Sequence, residues 1–99
     1  MKVVFRIHYN TVWGQKLCVV GSIPQLGNWE PVLAKEMRYV ADGEWILELE
    51  LPEGVDQIEY RYFVRMEDDH VLPEEWERKH VVKFDGRSTR YMFCDSWHN

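Results

Sequence analysis

A chain of 99 residues has the size of one domain, with room for one hydrophobic core and no internal linker. Its hydrophobic fraction of 45% excludes a disordered chain, and its net charge of -5, from 17 acidic and 12 basic side chains, would repel a phosphate backbone. No apolar run approaches the roughly 20 residues of a membrane-spanning helix, so neither nucleic acid nor a membrane is an expected partner.

The first half of the chain predicts strands, because its apolar residues recur at every second position. The predicted strands lie at residues 3–9, 17–20, 37–39 and 45–51. In the last of these, Trp45, Leu47 and Leu49 share one face, and Glu48 and Glu50 lie on the other. This alternation is typical of a half-buried antiparallel strand.

The second half repeats this rhythm, with predicted strands at residues 58–64, 71–72, 81–84 and 90–94. Asp85 and Gly86 separate the last two, and an Asp-Gly pair is typical of a tight hairpin. Only residues 31–36 offer a helical turn. Seven or eight short strands without crossover helices predict an all-β fold, an antiparallel β-sandwich in the immunoglobulin-like style. We expect this module to span residues 1–95, with residues 96–99 as a tail or the start of a linker.

The start of the chain suggests a cytoplasmic location. The segment that begins at Met1 mixes apolar residues with Arg6 and His8, unlike the uninterrupted apolar core of an export signal. Cys18 and Cys94 could pair if the first and last strands met. In a chain without an export signal, however, we expect free thiols.

Catalytic and metal-binding patterns are missing from the sequence. The acidic runs at residues 67–69 and 74–77 are interpreted as solvated turns, not as a glycosidase carboxylate pair. The four histidines are scattered without partners at metal-ligand spacing, so we expect them at the surface or at strand edges. The sequence contains neither a Gly-x-Ser-x-Gly nucleophile motif nor a glycine-rich phosphate-binding loop. We therefore expect a domain with no catalytic residue, no metal and no cofactor.

The aromatic residues outnumber what one small core requires, with five Trp, five Tyr and four Phe. Four of them fall on apolar alternating faces and are predicted to pack the core: Phe5, Trp45, Tyr60 and Tyr62. Trp13 lies beside a glycine in a predicted turn, Trp29 lies in an irregular segment, and Trp76 lies among charged residues. These three tryptophans form either an interaction surface or a set of loop anchors.

Sugars suit a surface of this kind. A pyranose ring has an apolar face of C–H groups that can leave water against a flat indole, while its hydroxyls need nearby polar partners. Burying one such ring face contributes on the order of 1.5–3 kcal/mol before ordering costs. Two such aromatic rings would give weak binding, with a dissociation constant from about millimolar to micromolar.

Several segments together resemble the starch-binding domains of carbohydrate-binding module family twenty. The resemblance covers residues 20–29, the strand from Trp45 to Gly54, residues 58–62 and residues 75–77, in the order and at the spacing of that family. It implies a β-sandwich with two separate sites for α-1,4-glucan chains such as starch, glycogen, maltodextrin and cyclodextrin. It also implies that the module itself is not an enzyme.

In the first site the resemblance implies stacking of sugar on Trp29 and Trp76. Arg61 stands where the family commonly has a lysine that hydrogen-bonds sugar hydroxyls. The planar guanidinium of an arginine would change the geometry of those hydrogen bonds. Glu77 is the acidic neighbour of the second tryptophan, and Glu59, on the same strand face as Arg61, is expected to orient it.

In the second site the resemblance implies a role for Trp13 and Tyr39, with Trp45 nearby or supporting. The sequence departs from the family at residues 78–80, where an Asn-Arg pair often stands, and one amide contact of the first site is then missing. Family members are commonly attached to amylase-type catalytic domains. The absent export signal favours an intracellular 4-α-glucanotransferase of the disproportionating-enzyme kind as the parent.

Two hypotheses stay open from the sequence. The first is a non-catalytic glucan-binding module that targets an attached catalytic domain to its substrate. The alternative is an immunoglobulin-like protein-interaction or docking domain that uses the same aromatics against a protein. Under the first, Trp29→Ala and Trp76→Ala should weaken glucan binding and leave the fold largely intact.

Overall fold

The computed structural model describes residues 1–68, 70–73 and 79–97, and nine strands are present in these ranges. The strands are β1 (Lys2–His8), β2 (Lys16–Gly21), β3 (Lys35–Glu36), β4 (Arg38–Ala41), β5 (Glu44–Glu50), β6 (Gln57–Arg65), β7 (Val71–Pro73), β8 (His80–Lys83) and β9 (Arg90–Ser96). Two short 3-10 turns, Pro24–Trp29 and Pro31–Leu33, follow β2. The second lies inside the predicted helical turn, and the first was not predicted.

The strands form two sheets. Sheet A has the order β4-β5-β1-β9, and sheet B has the order β3-β2-β6-β7, with β8 also paired to β6. All strand pairs are antiparallel apart from β1 and β9, which run parallel and place Phe5 opposite Phe93. The predicted β-sandwich is confirmed, and the first and last strands lie side by side in it.

The core lies between the inner faces of the two sheets. Alternate residues of β1 and β6 point inward, so that Phe5, Tyr60 and Tyr62 are fully buried, and Trp45 on β5 is nearly so. The Phe5 and Tyr60 rings meet edge to face at 4.9 Å, an arrangement favoured by the aromatic quadrupole. The predicted core positions of all four aromatics are confirmed.

The predicted strand at residues 37–39 lies where the chain crosses between the two sheets, with Met37 between β3 and β4 and Arg38 and Tyr39 in β4. β3 pairs with β2 in sheet B, and β4 pairs with β5 in sheet A. Between them Met37 is buried, and its amide donates to the Leu17 carbonyl oxygen at 2.8 Å. This crossing places Glu36 on sheet B and Tyr39 on sheet A, on opposite sides of one end of the sandwich.

The hairpin predicted at Asp85-Gly86 is wrong. β8 pairs with β6 in sheet B, whereas β9 pairs with β1 in sheet A, so the connection crosses from one sheet to the other. Asp85 Oδ1 accepts hydrogen bonds from the Arg87 amide and the Tyr91 hydroxyl, both at 2.9 Å. An Asp-Gly pair thus makes a local turn here without pairing the strands on either side of it.

A buried polar cluster joins the two sheets, and it corrects the prediction of a surface position for one of the histidines, His80. His80 is only 8% exposed, and its ring stacks on Tyr60 with a centroid distance of 5.1 Å. Asp95 accepts hydrogen bonds from the Tyr60 and Tyr62 hydroxyls at 2.7 and 2.5 Å, and its other oxygen lies 3.8 Å from His80 Nδ1. β9 continues through Ser96, one residue past the domain end that we predicted.

The two thiols are free, as expected. Cys18 is buried in β2 of sheet B, and Cys94 is exposed on β9 of sheet A. Burial raises the pKa of Cys18 to about 11.

Beyond Cys94, Trp97 packs against the core, with its ring centroid 4.5 Å from that of Tyr9. Across residues 1–68, 70–73 and 79–97, no helix has the length and apolar character needed to cross a bilayer.

Candidate functional site

A groove of about 780 Å³ opens at the end of the sandwich where the chain crosses from β3 to β4. Its aromatic lining comes from Trp13, Tyr39 and Trp45, and charged side chains from Lys16, Glu36 and Arg65 also line it. We call it the aromatic groove. The structure thus brings together the three residues of the predicted second site.

Trp13 is the most exposed aromatic residue of the groove, at 95% of its free surface. It lies on a turn closed by two hydrogen bonds between Val12 and Gln15, at 2.9 and 3.1 Å. Gly14 has a positive φ of 86°, and a side chain there would meet Glu67 Oε2 at 2.9 Å. Backbone constraints therefore present the indole to solvent without packing it against the core.

Tyr39 is supported from below by Trp45, its partner in the β4–β5 pair. The two rings meet edge to face at 5.2 Å, and Trp45 Nε1 donates to the Tyr9 carbonyl oxygen at 3.2 Å. Tyr39 is 50% exposed and Trp45 only 6%. Trp45 therefore has the supporting position, and the exposed aromatic surface of the groove comes from Trp13 and Tyr39.

Trp29 lies elsewhere, on the outer face of sheet B. It packs against a small apolar cluster of Cys18, Val20 and Phe63, all on the outward side of β2 and β6. The ammonium of Lys79 lies over its ring, 4.9 Å from the centroid. The expected bare indole is instead half-buried and covers a second apolar cluster, so we now expect its removal to lower the stability of the fold.

The path of the chain before Trp29 explains this placement. Gly27, Asn28 and Trp29 all have positive φ, at 81°, 49° and 66°, which turns the segment back toward sheet B. A side chain at Gly27 would meet the Leu33 carbonyl oxygen at 2.7 Å. Glycine is therefore required for the close approach that seats the indole.

The other residues of the predicted first site are placed in part. Glu59 and Arg61 lie on the outward side of β6, and Arg61 is paired with Val20, which contacts Trp29. Both side chains are partly buried. Trp76 and Glu77 lie outside the described residues. The structure therefore places Trp29, Arg61 and Glu59 on one sheet face and leaves their relation to the second tryptophan a prediction.

Sequence reasoning missed two sets of charged groups. Lys79 was not assigned a role, and the charged side of the aromatic groove, formed by Lys16, Glu36 and Arg65, was not anticipated. Glu36 and Arg65 are far apart in the sequence and meet because β3 and β6 both flank β2. No local pattern signals such a contact.

Among the described residues, no group of three or more His, Cys, Asp or Glu side chains is arranged to hold a metal ion.

Comparisons with known proteins place the chain in a family. The family described as starch binding domain matches residues 1–91. Cyclomaltodextrin glucanotransferase of Klebsiella oxytoca is 29% identical over 81% of this chain, which spans 12% of that enzyme. The 4-alpha-glucanotransferase DPE2 of Oryza sativa subsp. japonica is 31% identical over 84% of this chain, which spans 9% of that enzyme.

A solved structure shares the architecture as well. The family 20 module of a maltotetraose-forming amylase from Pseudomonas saccharophila superposes with a TM-score of 0.69 at 28% identity, covering 94% of this chain and 100% of that one. The match extends over the whole of an isolated module, whereas the chain spans only a small part of the enzymes. The chain therefore belongs to the starch-binding domain family, carbohydrate-binding module family twenty, as a non-catalytic module of the kind attached to amylolytic enzymes.

Proposed function

We propose that this module binds malto-oligosaccharides, cyclodextrins and the chain ends of starch and glycogen in the aromatic groove. The observation that carries the proposal is the nearly complete exposure of Trp13 beside the half-exposed Tyr39 in an open groove. A large aromatic side chain that is exposed to water carries a free-energy cost, and this cost is offset when a partner covers the ring. A sugar ring offers the apolar face that stacks on an indole and hydroxyls for the charged side chains nearby.

The face of sheet B that carries Trp29, Arg61 and Glu59 is the second proposed glucan site. Trp29 supplies the platform there, and Trp76 and Glu77 complete it in our prediction. The half-buried position of Trp29 supports a rigid platform, since the residue packs against the apolar cluster of sheet B before any ligand binds. A preorganised ring loses little entropy on binding.

The direct test is calorimetric titration of the chain with maltoheptaose and with β-cyclodextrin, alongside tryptophan fluorescence. We expect saturable binding that Trp13→Ala weakens and that the matched change of another exposed apolar residue, Met92→Ala on β9, leaves unaltered. Binding that ignores both glucans, together with self-association, would favour the protein-docking alternative.

The attached catalytic domain is also a proposal. Similarity to the 4-alpha-glucanotransferase DPE2 supports a glucanotransferase parent, and similarity to the cyclomaltodextrin enzyme supports amylolytic parents in general. In either case the module would raise the local concentration of glucan at the catalytic site. Reading the gene beyond these residues tests the assignment, and fractionation of cells that express the full protein tests the cytoplasmic location.

A further inference from the structure

The charged part of the aromatic groove comes from sheet B. Arg65 at the end of β6 and Glu36 in β3 lie with Nη1 and Oε1 at 3.5 Å. Lys16 Nζ lies 3.6 Å from the other Glu36 oxygen. The carboxylate is thus held between two cations at the edge of a surface that already carries exposed aromatics.

Arg65 is held in one position before any ligand binds. Its Nη2 donates to the Pro31 carbonyl oxygen at 2.9 Å, and its guanidinium carbon lies 5.6 Å from the centroid of the Phe63 ring. Its side chain is 23% exposed, whereas Arg38, Arg87 and Arg90 are exposed residues. A guanidinium group that is already held in place loses little rotamer freedom when it donates hydrogen bonds to a ligand.

The chemistry of the pair is complementary. A guanidinium only donates hydrogen bonds, and a carboxylate only accepts them. The contacts with Pro31 and Glu36 use two of the five N–H donors of Arg65, so that donors are left for a ligand. Two adjacent hydroxyl groups on one ring present an acceptor oxygen and a donor hydrogen side by side, which matches this pair.

We propose that Arg65 and Glu36 recognise the adjacent O2 and O3 hydroxyls of a glucose unit whose ring lies against the aromatic groove. The inference rests on the proposed function, because it assigns selectivity to the same groove. Stacking alone accepts any flat apolar ring face. A site that hydrogen-bonds the secondary hydroxyls binds a ligand in which they are blocked more weakly, because the guanidinium and the carboxylate then lose these ligand partners.

The experiment follows groove occupancy through the Trp13 indole N–H resonance, assigned by its absence in Trp13→Phe. The ligands are β-cyclodextrin, its 6-O-methyl derivative and its 2,3-di-O-methyl derivative. We expect the first two to bind alike and the third to bind at least about tenfold more weakly, the value of one charged hydrogen bond. In Arg65→Met the affinity for β-cyclodextrin falls by about tenfold and the preference against 2,3-methylation disappears.

Matched variants make the result specific. Arg90→Met removes an exposed arginine from β9 outside the groove and should leave affinity and preference unaltered. Arg65→Lys keeps the charge without the fork and should recover part of the affinity. If Arg65→Met fails to fold, Glu36→Gln, at an exposed edge position, carries the test, and loss of preference in it supports the pairing.

The outcomes separate this inference from the proposed function. A Trp13 resonance that moves with none of the glucans overturns the groove as a glucan site, and this inference with it. A resonance that moves normally while Arg65→Met and Glu36→Gln both keep the full preference against 2,3-methylation overturns the inference alone. Glucan binding then stands, with selectivity arising elsewhere.

Discussion

Trp13 and Trp29 look alike in the sequence, each a loop tryptophan near a glycine, yet the structure gives them different roles. Trp13 stands on a turn, exposes nearly all of its surface to solvent and lines the aromatic groove. Trp29 covers an apolar cluster on sheet B and carries a lysine over its ring. The comparison teaches that a binding platform can be added onto a fold or built into it, and that stability measurements tell the two apart.

The largest effect should come from a change that touches neither tryptophan and sets the scale of core damage. Asp95→Ala removes the carboxylate that accepts hydrogen bonds from the Tyr60 and Tyr62 hydroxyls, and we expect a loss of about 3 kcal/mol in the free energy of unfolding. Urea denaturation measures it. Asp95→Asn, which keeps an acceptor, should lose less, and equal losses would contradict the hydrogen-bond explanation.

Trp29→Ala should follow, with a loss of about 2 kcal/mol in unfolding free energy, because it uncovers Phe63, Val20 and Cys18. Trp29→Phe retains part of the cover and should lose about half as much. The same denaturation experiment checks both variants. An unaltered stability in Trp29→Ala would remove the distinction between the two tryptophans.

Trp13→Ala should cost about 1.5 kcal/mol in groove binding of maltoheptaose and less than about 0.5 kcal/mol in stability. The reason is that its ring is open to solvent and packs against little else. Calorimetry and thermal unfolding on the same sample give both values. A stability loss as large as that of Trp29→Ala would show that the turn supports the fold.

Lys79→Met should strengthen glucan binding at Trp29 by about two- to fivefold, since a sugar must displace an ammonium whose interaction with the ring is worth about 0.5–1 kcal/mol. The Trp29 indole N–H resonance reports this site. Lys35→Met, at an exposed position on β3, is the matched control. Weaker binding in Lys79→Met would instead make the lysine a donor to the sugar.

The smallest effect concerns the thiol beneath Trp29. Because burial raises the pKa of Cys18 to about 11, the thiol is protonated at pH 8, and we expect slow alkylation there beside fast labelling of the exposed Cys94. In Trp29→Ala the labelling of Cys18 should accelerate. Mass spectrometry of the alkylated chain measures both rates, and an unaltered Cys18 rate would mean that Trp29 does not shield it.

Much of the fold followed from local pattern. Alternation over residues 45–51 and 58–64 predicted β5 and β6, and it assigned Trp45, Tyr60 and Tyr62 correctly to the core. Strand pairing was less accessible, because a turn signal such as Asp85-Gly86 reports a change of direction and not which strand comes next to which. The burial of His80 was missed for the same reason, since its partner Asp95 comes from the other sheet.

The sequence by itself determined the strand-rich fold class, the inward aromatics, the exposed turn at Trp13 and the family resemblance, because period-two burial and glycine turns act over a few residues. Only the tertiary structure decided that Trp29 is half-buried, that the chain changes sheets at Met37, and that Arg65 meets Glu36 beside the aromatic groove. Those contacts join residues far apart along the chain, and their neighbours are set by the pairing of whole strands.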